Sequence, residues 1–267
     1  MQRDRKPSAV ARVVRLARPR GASRGAREPS RRGVPDLARG AGALVAALLA
    51  IAVSGCHPSI QGNGVLREED RTSTLSPFVG VQVEDGIETD VTVGQPLRVV
   101  VSGDENVVPY VETKVETDAT EGIPVLVARV SYLSGYTARN PLRLTVSVPD
   151  LRLARAVGKT RIAASEVAAE ALRVEGGEGS TLLLSGAGTG ASPALDVVLA
   201  GARLDARHYA VATASVALTG EALAQLDATQ DVTGTAVPPG RVENSAPGAG
   251  CDVYDGSGNR VSCAPSP

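Results

Sequence analysis

Tryptophan is absent from this 267-residue chain, phenylalanine occurs once (Phe78) and tyrosine five times. Deep globular cores usually draw on such rings, so this interior must be assembled from Val, Leu, Ile and Ala. That composition suits a thin architecture in which aliphatic side chains stack from strand to strand, as in a solenoid. Histidine is nearly as scarce, with only His57 and His208. A Ser-His-Asp hydrolase would have to use His208 with Asp205 three residues before it, and no nucleophile elbow accompanies them. Three cysteines and two histidines also fall short of a zinc ligand set. Gly186-Ala187-Gly188-Thr189-Gly190 lacks the lysine and helix that a phosphate loop needs, and reads as a turn. No catalytic residue, metal ligand or cofactor is assigned from the sequence.

Long apolar runs are missing too. The uncharged stretch Ala43–Val53, about a dozen residues, is too short to span a bilayer and suits the apolar region of a signal peptide. Arg32 and Arg39 stand before it. Its exit, Val53-Ser54-Gly55-Cys56, resembles the bacterial lipoprotein signal, with cleavage between Gly55 and Cys56 and acylation of the Cys56 thiol. Each buried acyl methylene contributes about 0.8 kcal/mol, so two or more chains anchor stably. His57, not an acid, follows the cysteine; by resemblance to the bacterial sorting rule this favours the outer membrane. The expected location is therefore lipid-anchored there, facing the periplasm or the cell surface.

Charge is distributed unevenly. Residues 1–39 hold twelve Lys/Arg against three acids, but this leader precedes the export signal and is absent from the expected mature chain. Residues 67–121 carry thirteen acids against four basic side chains. An acidic domain of this kind excludes nucleic acid as a partner, and the membrane is met through the anchor.

Between residues 62 and 148 the dominant period is two. Val79, Val81 and Val83 alternate with Gly80, Gln82 and Glu84, and similar alternation runs through Ile87–Val93, Leu97–Val101 and Leu142–Val148. Such patterns predict half-buried strands, and the intervening Glu84-Asp85-Gly86, Ser102-Gly103-Asp104 and Arg139-Asn140-Pro141 predict turns. From Leu151 the apolar pieces shorten and glycines mark corners, with blocks recurring every 12–25 residues. Short β-repeats with glycine corners predict the coils of a β-solenoid. The fold class read from the chain is all-β, a β-solenoid or right-handed β-helix-like body with an N-terminal antiparallel region. The organisation expected is a signal peptide over 1–55, a lipidated tether over 56–64, the β domain over 65–237 and a Pro/Gly linker with a small cysteine hairpin over 238–267.

Cys251 and Cys263 lie symmetrically about Ser257 in the turn-rich Asp255-Gly256-Ser257-Gly258-Asn259. A hairpin centred there pairs Val253 with Val261 and brings the cysteines together, and an exported chain meets oxidising conditions. A Cys251–Cys263 disulfide is expected.

Several motifs occur in order: Gly62-Asn63-Gly64, Leu75-Ser76-Pro77-Phe78-Val79-Gly80-Val81, Gly86-Ile87-Glu88-Thr89-Asp90-Val91, and Val101-Ser102-Gly103-Asp104-Glu105-Asn106. Further on come Leu142–Leu151 and Gly201-Ala202-Arg203-Leu204-Asp205-Ala206. Over roughly residues 62–240 the series is similar to the head GIN domain of putative auto-transporter adhesins. The resemblance implies a β-helix-like fold, with adhesion or envelope scaffolding, and carries no catalytic residue.

Glu84, Asp85, Glu88, Asp90, Asp104 and Glu105 flank neighbouring turns. Their oxygens could collect calcium, while a solvated acidic edge that discourages strand pairing accounts for the same residues. The expected function is non-catalytic adhesion or scaffolding toward a glycan or a surface protein. The competing class is a carbohydrate-active β-helix, a polysaccharide lyase or glycan-binding module. Carboxylates and a basic residue stacked on one groove would mark the enzyme.

Overall fold

The computed structural model describes residues 59–132 and 135–265. Gly55, Cys56 and His57, and with them the signal and lipidation expectations, lie outside these residues. In chain order the strands are β1 (Ile60–Gln61), β2 (Leu66–Asp70), β3 (Gly80–Val83), β4 (Glu88–Val93), β5 (Arg98–Asp104), β6 (Val111–Thr117), β7 (Pro124–Val130), β8 (Tyr136–Thr137) and β9 (Arg143–Val148). There follow β10 (Leu153–Ala156), β11 (Arg161–Val167), β12 (Ala171–Gly176), β13 (Thr181–Ala187), β14 (Ala194–Ala200), β15 (Arg203–Thr219) and β16 (Leu223–Ala236). The chain closes with β17 (Arg241–Asn244), β18 (Gly250–Tyr254), β19 (Arg260–Val261) and β20 (Ala264–Pro265). Among the described residues the only helices are single 3-10 turns, Thr72–Thr74 and Val108–Tyr110.

The strands stack in parallel into two faces. Face A runs β7, β3, β10, β12, β14, the second half of β15, the second half of β16, and β18. Face B runs β9, β4, β11, β13, the first halves of β15 and β16, then β17 and β20. Leu153 pairs with Arg173, Ala171 with Ala194, Ala194 with Thr213, Thr213 with Asp231 and Asp231 with Gly250, offsets of 20, 23, 19, 18 and 19 residues. This is the all-β solenoid the patterning predicts, with a coil of about twenty residues and one strand per face.

Period-two alternation aims every second side chain inward, and the parallel register then lines like positions into files. One file of face B holds Leu144, Thr89, Ile162, Leu182 and Leu204, all buried. A file of face A holds Val81, Ala154, Val174, Val197 and Val216. Full burial of each Val, Leu or Ile contributes roughly 1.5–3 kcal/mol, which is how a nearly ring-free interior holds together.

Chain order and spatial order part at the N-terminal end. β3–β4 is written first but sits inside, between the later β7–β9 coil and β10–β11. The antiparallel region lies beyond: β5 runs against β9, β6 against β7 and β2 against β5.

Two expected boundaries differ from the structure. Residues 238–267 do not form an isolated hairpin. β17 and β18 extend the parallel stack, and Val253 is fully buried in the core. The tether expected over 56–64 is also shorter, because Ile60 and Gln61 pair with Tyr136 and Thr137 of β8. Both segments are short and poor in alternation, so their pairing shows only in the folded stack. The hairpin itself matches expectation, with Val253 opposite Val261 and a Cys251–Cys263 disulfide.

Candidate ligand-binding groove

Face A turns two adjacent polar files outward. Register places Gln82, Arg155 and Glu175 side by side, and beside them Arg173, Asp196, Ser215 and Thr233. The turn between β6 and β7 folds over this face. Asp118 shapes it, its Oδ1 accepting from the backbone N–H of Thr120 (2.9 Å) and Glu121 (2.8 Å). Asp118 Oδ2 then accepts from Arg155 at 2.8 Å, and Glu121 lies 3.5 Å from Arg173.

Arg155 also donates to Gln82 Oε1 (2.9 Å) and Glu175 Oε2 (2.6 Å). Arg173 donates to Glu175 Oε1 and Asp196 Oδ2, both at 2.6 Å. Burial pushes the Arg155 guanidinium down, and its bonds to Glu175 and Asp118 more than reverse this. The bond to Glu175 likewise raises Arg173. Burial pushes Glu175 up, but the two arginines hold it below the usual carboxylate range. Every shift deepens the charged state.

Beside this network runs an open groove of about 460 Å3. Ile123 and Glu121 of the turn form one wall, and Ala171 and Ala194 give a small-residue floor. Thr213, Ser215, Thr233 and Asp196 line it with hydroxyls and a carboxylate. Such a surface offers hydrogen bonds to a polyol and a shallow apolar strip to its C–H faces. The arginines and acids were not singled out in sequence because 20 and 23 residues separate the partners Arg155–Glu175 and Arg173–Asp196. Their one signal is charge recurring at the coil period.

The residues weighed earlier for chemistry are used otherwise. His208 is exposed within β15, opposite Ser185, where the register with the neighbouring strands is irregular. Gly186 and Ala187 end β13, and in the turn that follows Gly188 N donates to Ala210 O and Thr189 N to Ala169 O, so those amides do not cradle a phosphate. Asp104 is fully buried, and both its oxygens accept N–H bonds. Among the described residues no group of three or more His, Cys, Asp or Glu side chains could hold a metal ion.

The model for the putative auto-transporter adhesin, head GIN domain, matches residues 77–246. The chain belongs to this family. The head GIN match stops short of β18, although β18 stacks on β16. Among solved structures, a putative adhesin from Bacteroides fragilis NCTC 9343 is similar at 13% identity and a TM-score of 0.55, covering 74% of this chain and 96% of that one. A putative lipid binding protein from Parabacteroides distasonis ATCC 8503 is similar at 15% identity and a TM-score of 0.46, covering 76% of this chain and 98% of that one. The first of these carries the fold argument. No protein of curated function matches the chain.

Proposed function

We propose that this head GIN protein is a lipid-anchored component of the bacterial outer membrane that acts without catalysis, by adhesion or envelope scaffolding. The groove on face A is its contact for a polar partner, a glycan or a surface protein. One observation carries the reading: the charged groups beside the groove are tied to one another. A lyase needs a base poised to take a proton. Arg155 and Arg173 are instead driven further from neutrality by Glu175. The stacked carboxylates and arginines named above as the mark of an enzyme are therefore present, but as a locked ion-pair network. Family membership supports adhesion, and Val53-Ser54-Gly55-Cys56 followed by His57 supports the anchor and its location.

Two measurements test this. Intact mass of membrane-extracted protein should give a chain beginning at Cys56 with a lipid increment; another start, or no increment, overturns the anchor. On a glycan array the full chain should bind, and Ala194→Tyr with Ser215→Tyr should abolish binding at an unchanged circular dichroism spectrum. Binding that survives this filling overturns the groove. Newly unsaturated sugar ends in the bound polysaccharide overturn the non-catalytic reading.

A further inference from the structure

The chain outside the described body is short where it meets the anchor. Ile60 pairs with Tyr136, and its N–H donates to Gly135 O at 3.2 Å. Gly62 N donates to Thr137 O at 2.7 Å, Gly64 N to Asp104 Oδ1 at 2.9 Å, and Asn63 N to Asn106 Oδ1 at 2.9 Å. The body is thus fastened from Ile60 onward. Only His57, Pro58 and Ser59 separate it from Cys56. Four residue steps span at most about 14 Å, and each interfacial layer of a bilayer is itself roughly 5–8 Å thick.

The surface at this point is unusual for the molecule. Tyr110 and Tyr132 meet edge to face with ring centroids 5.3 Å apart. Tyr136 lies beside Ile60. Tyr136 turns its hydroxyl to Asp85 O, but Gly135 ties the other two to the same place: its N–H donates to Tyr132 O and its O accepts from Ile60 N, so the Tyr110–Tyr132 pair lies where the described chain begins, in a protein without tryptophan. Val65 and Leu66 are 53% and 63% exposed, the highest values among the exposed large hydrophobic residues described, and Tyr110 is 40% exposed. β2 carries Leu66, and the 3-10 turn ending at Tyr110 packs beside that strand.

We infer that this N-terminal cap docks on the lipid surface that holds the Cys56 anchor, with Val65, Leu66 and Tyr110 in the headgroup layer. Tyrosine rings favour that layer because one end is apolar and the other hydrogen-bonds. The partner is a zwitterionic lipid surface: the acids that follow Leu66 are balanced, Glu69 by Arg67 and Arg71 and Asp70 by Arg98, so the cap presents no block of positive charge to draw it to anionic headgroups. Docking orients the solenoid with its capped end down and leaves the face A groove free to meet a partner. The inference rests on the lipid-anchor reading.

The test uses full-length protein extracted from membranes and reconstituted in phosphatidylcholine vesicles that carry a headgroup quencher. Mass analysis of the Cys56 peptide comes first, and an unmodified thiol overturns the anchor and the docking with it. In acylated protein a fluorophore is attached at Glu105→Cys, on the cap, or at Thr235→Cys, which pairs with the last coil. Docking gives at least threefold stronger quenching at position 105. Equal quenching with Cys56 acylated overturns docking and leaves the anchor standing. Leu66→Ser with Tyr110→Ser should halve the difference or more, and an unchanged difference overturns the role of this patch.

Discussion

Asn140 gives Asp104 two hydrogen bonds, one from its side-chain amide to Oδ1 at 2.8 Å and one from its backbone N–H to Oδ2 at 3.1 Å. Gly64 N and Arg139 N supply two more, at 2.9 and 2.7 Å. One buried carboxylate thus ties the incoming segment, the end of β5 and the loop before β9. Gly62 belongs to the same latch, since a Cβ there would overlap Asp104 Oδ2. Two motifs that are far apart in sequence, Gly62-Asn63-Gly64 and Gly103-Asp104-Glu105-Asn106, are one structural unit.

All four partners of Asp104 are donors, so Asp104→Asn must aim an amide NH2 at two N–H groups. The melting temperature should fall by roughly 3–10 °C, measured by calorimetry. Burial pushes the carboxyl up, but the bonds from Arg139, Asn140 and Gly64 hold it below its ordinary value. A lowered folded pKa stabilises above the unfolded value and is lost as pH falls through the folded one. Acid destabilisation from this group should therefore set in below about pH 4 and be absent in the variant.

Tyr209 is fully buried, and its hydroxyl lacks a hydrogen-bond partner among the described residues. Tyr209→Phe should raise stability by up to about 1 kcal/mol, whereas Tyr209→Ala should cost about 3–5 kcal/mol through the cavity, both read by denaturant titration. Burial pushes the phenol from 10.0 to about 12. The folded state then holds its proton longer than the unfolded one. Stability from this group is complete below pH 10 and falls as pH rises toward 12; Tyr209→Phe removes that slope.

Val253 joins the core and β18 pairs with β16, so the disulfide braces the last coil rather than a detached tail. Cys251→Ser with Cys263→Ser should destabilise the domain by up to roughly 3 kcal/mol on the chain-entropy account. A calorimetric transition identical to that of the parent protein would restore the picture of an independent hairpin.

Arg155 has 20% of its side chain exposed and faces Asp118 and Glu175, at 6% and 20%. Arg155→Met leaves two poorly solvated carboxylates without their cation and should cost roughly 1–3 kcal/mol. Adding Glu175→Met should recover part of that loss, which a double-mutant cycle in urea would measure.

Alternation in Val79–Val83, Ile87–Val93 and Leu142–Val148 made the strands and their buried sides legible. The glycine corners after Leu151 gave the coil, because turn chemistry and side-chain period are local properties. The symmetric spacing of Cys251 and Cys263 gave the hairpin for the same reason. The groove could not be read this way. Arg173 meets Asp196 only because β12 and β14 lie in register, and Glu121 reaches Arg173 only because the β6–β7 turn folds across face A.

By itself the sequence determined an all-β chain with an aliphatic interior, its turns and its disulfide. These follow from backbone geometry and the short-range burial pattern. Tertiary structure alone decided that β3–β4 lies between coils written later, that β17 and β18 continue the stack, and that Ile60 is bound to the body. Each of those is a choice of partner between distant strands. Every strand here offers much the same alternating apolar side, so the choice is made by how all the coils close together.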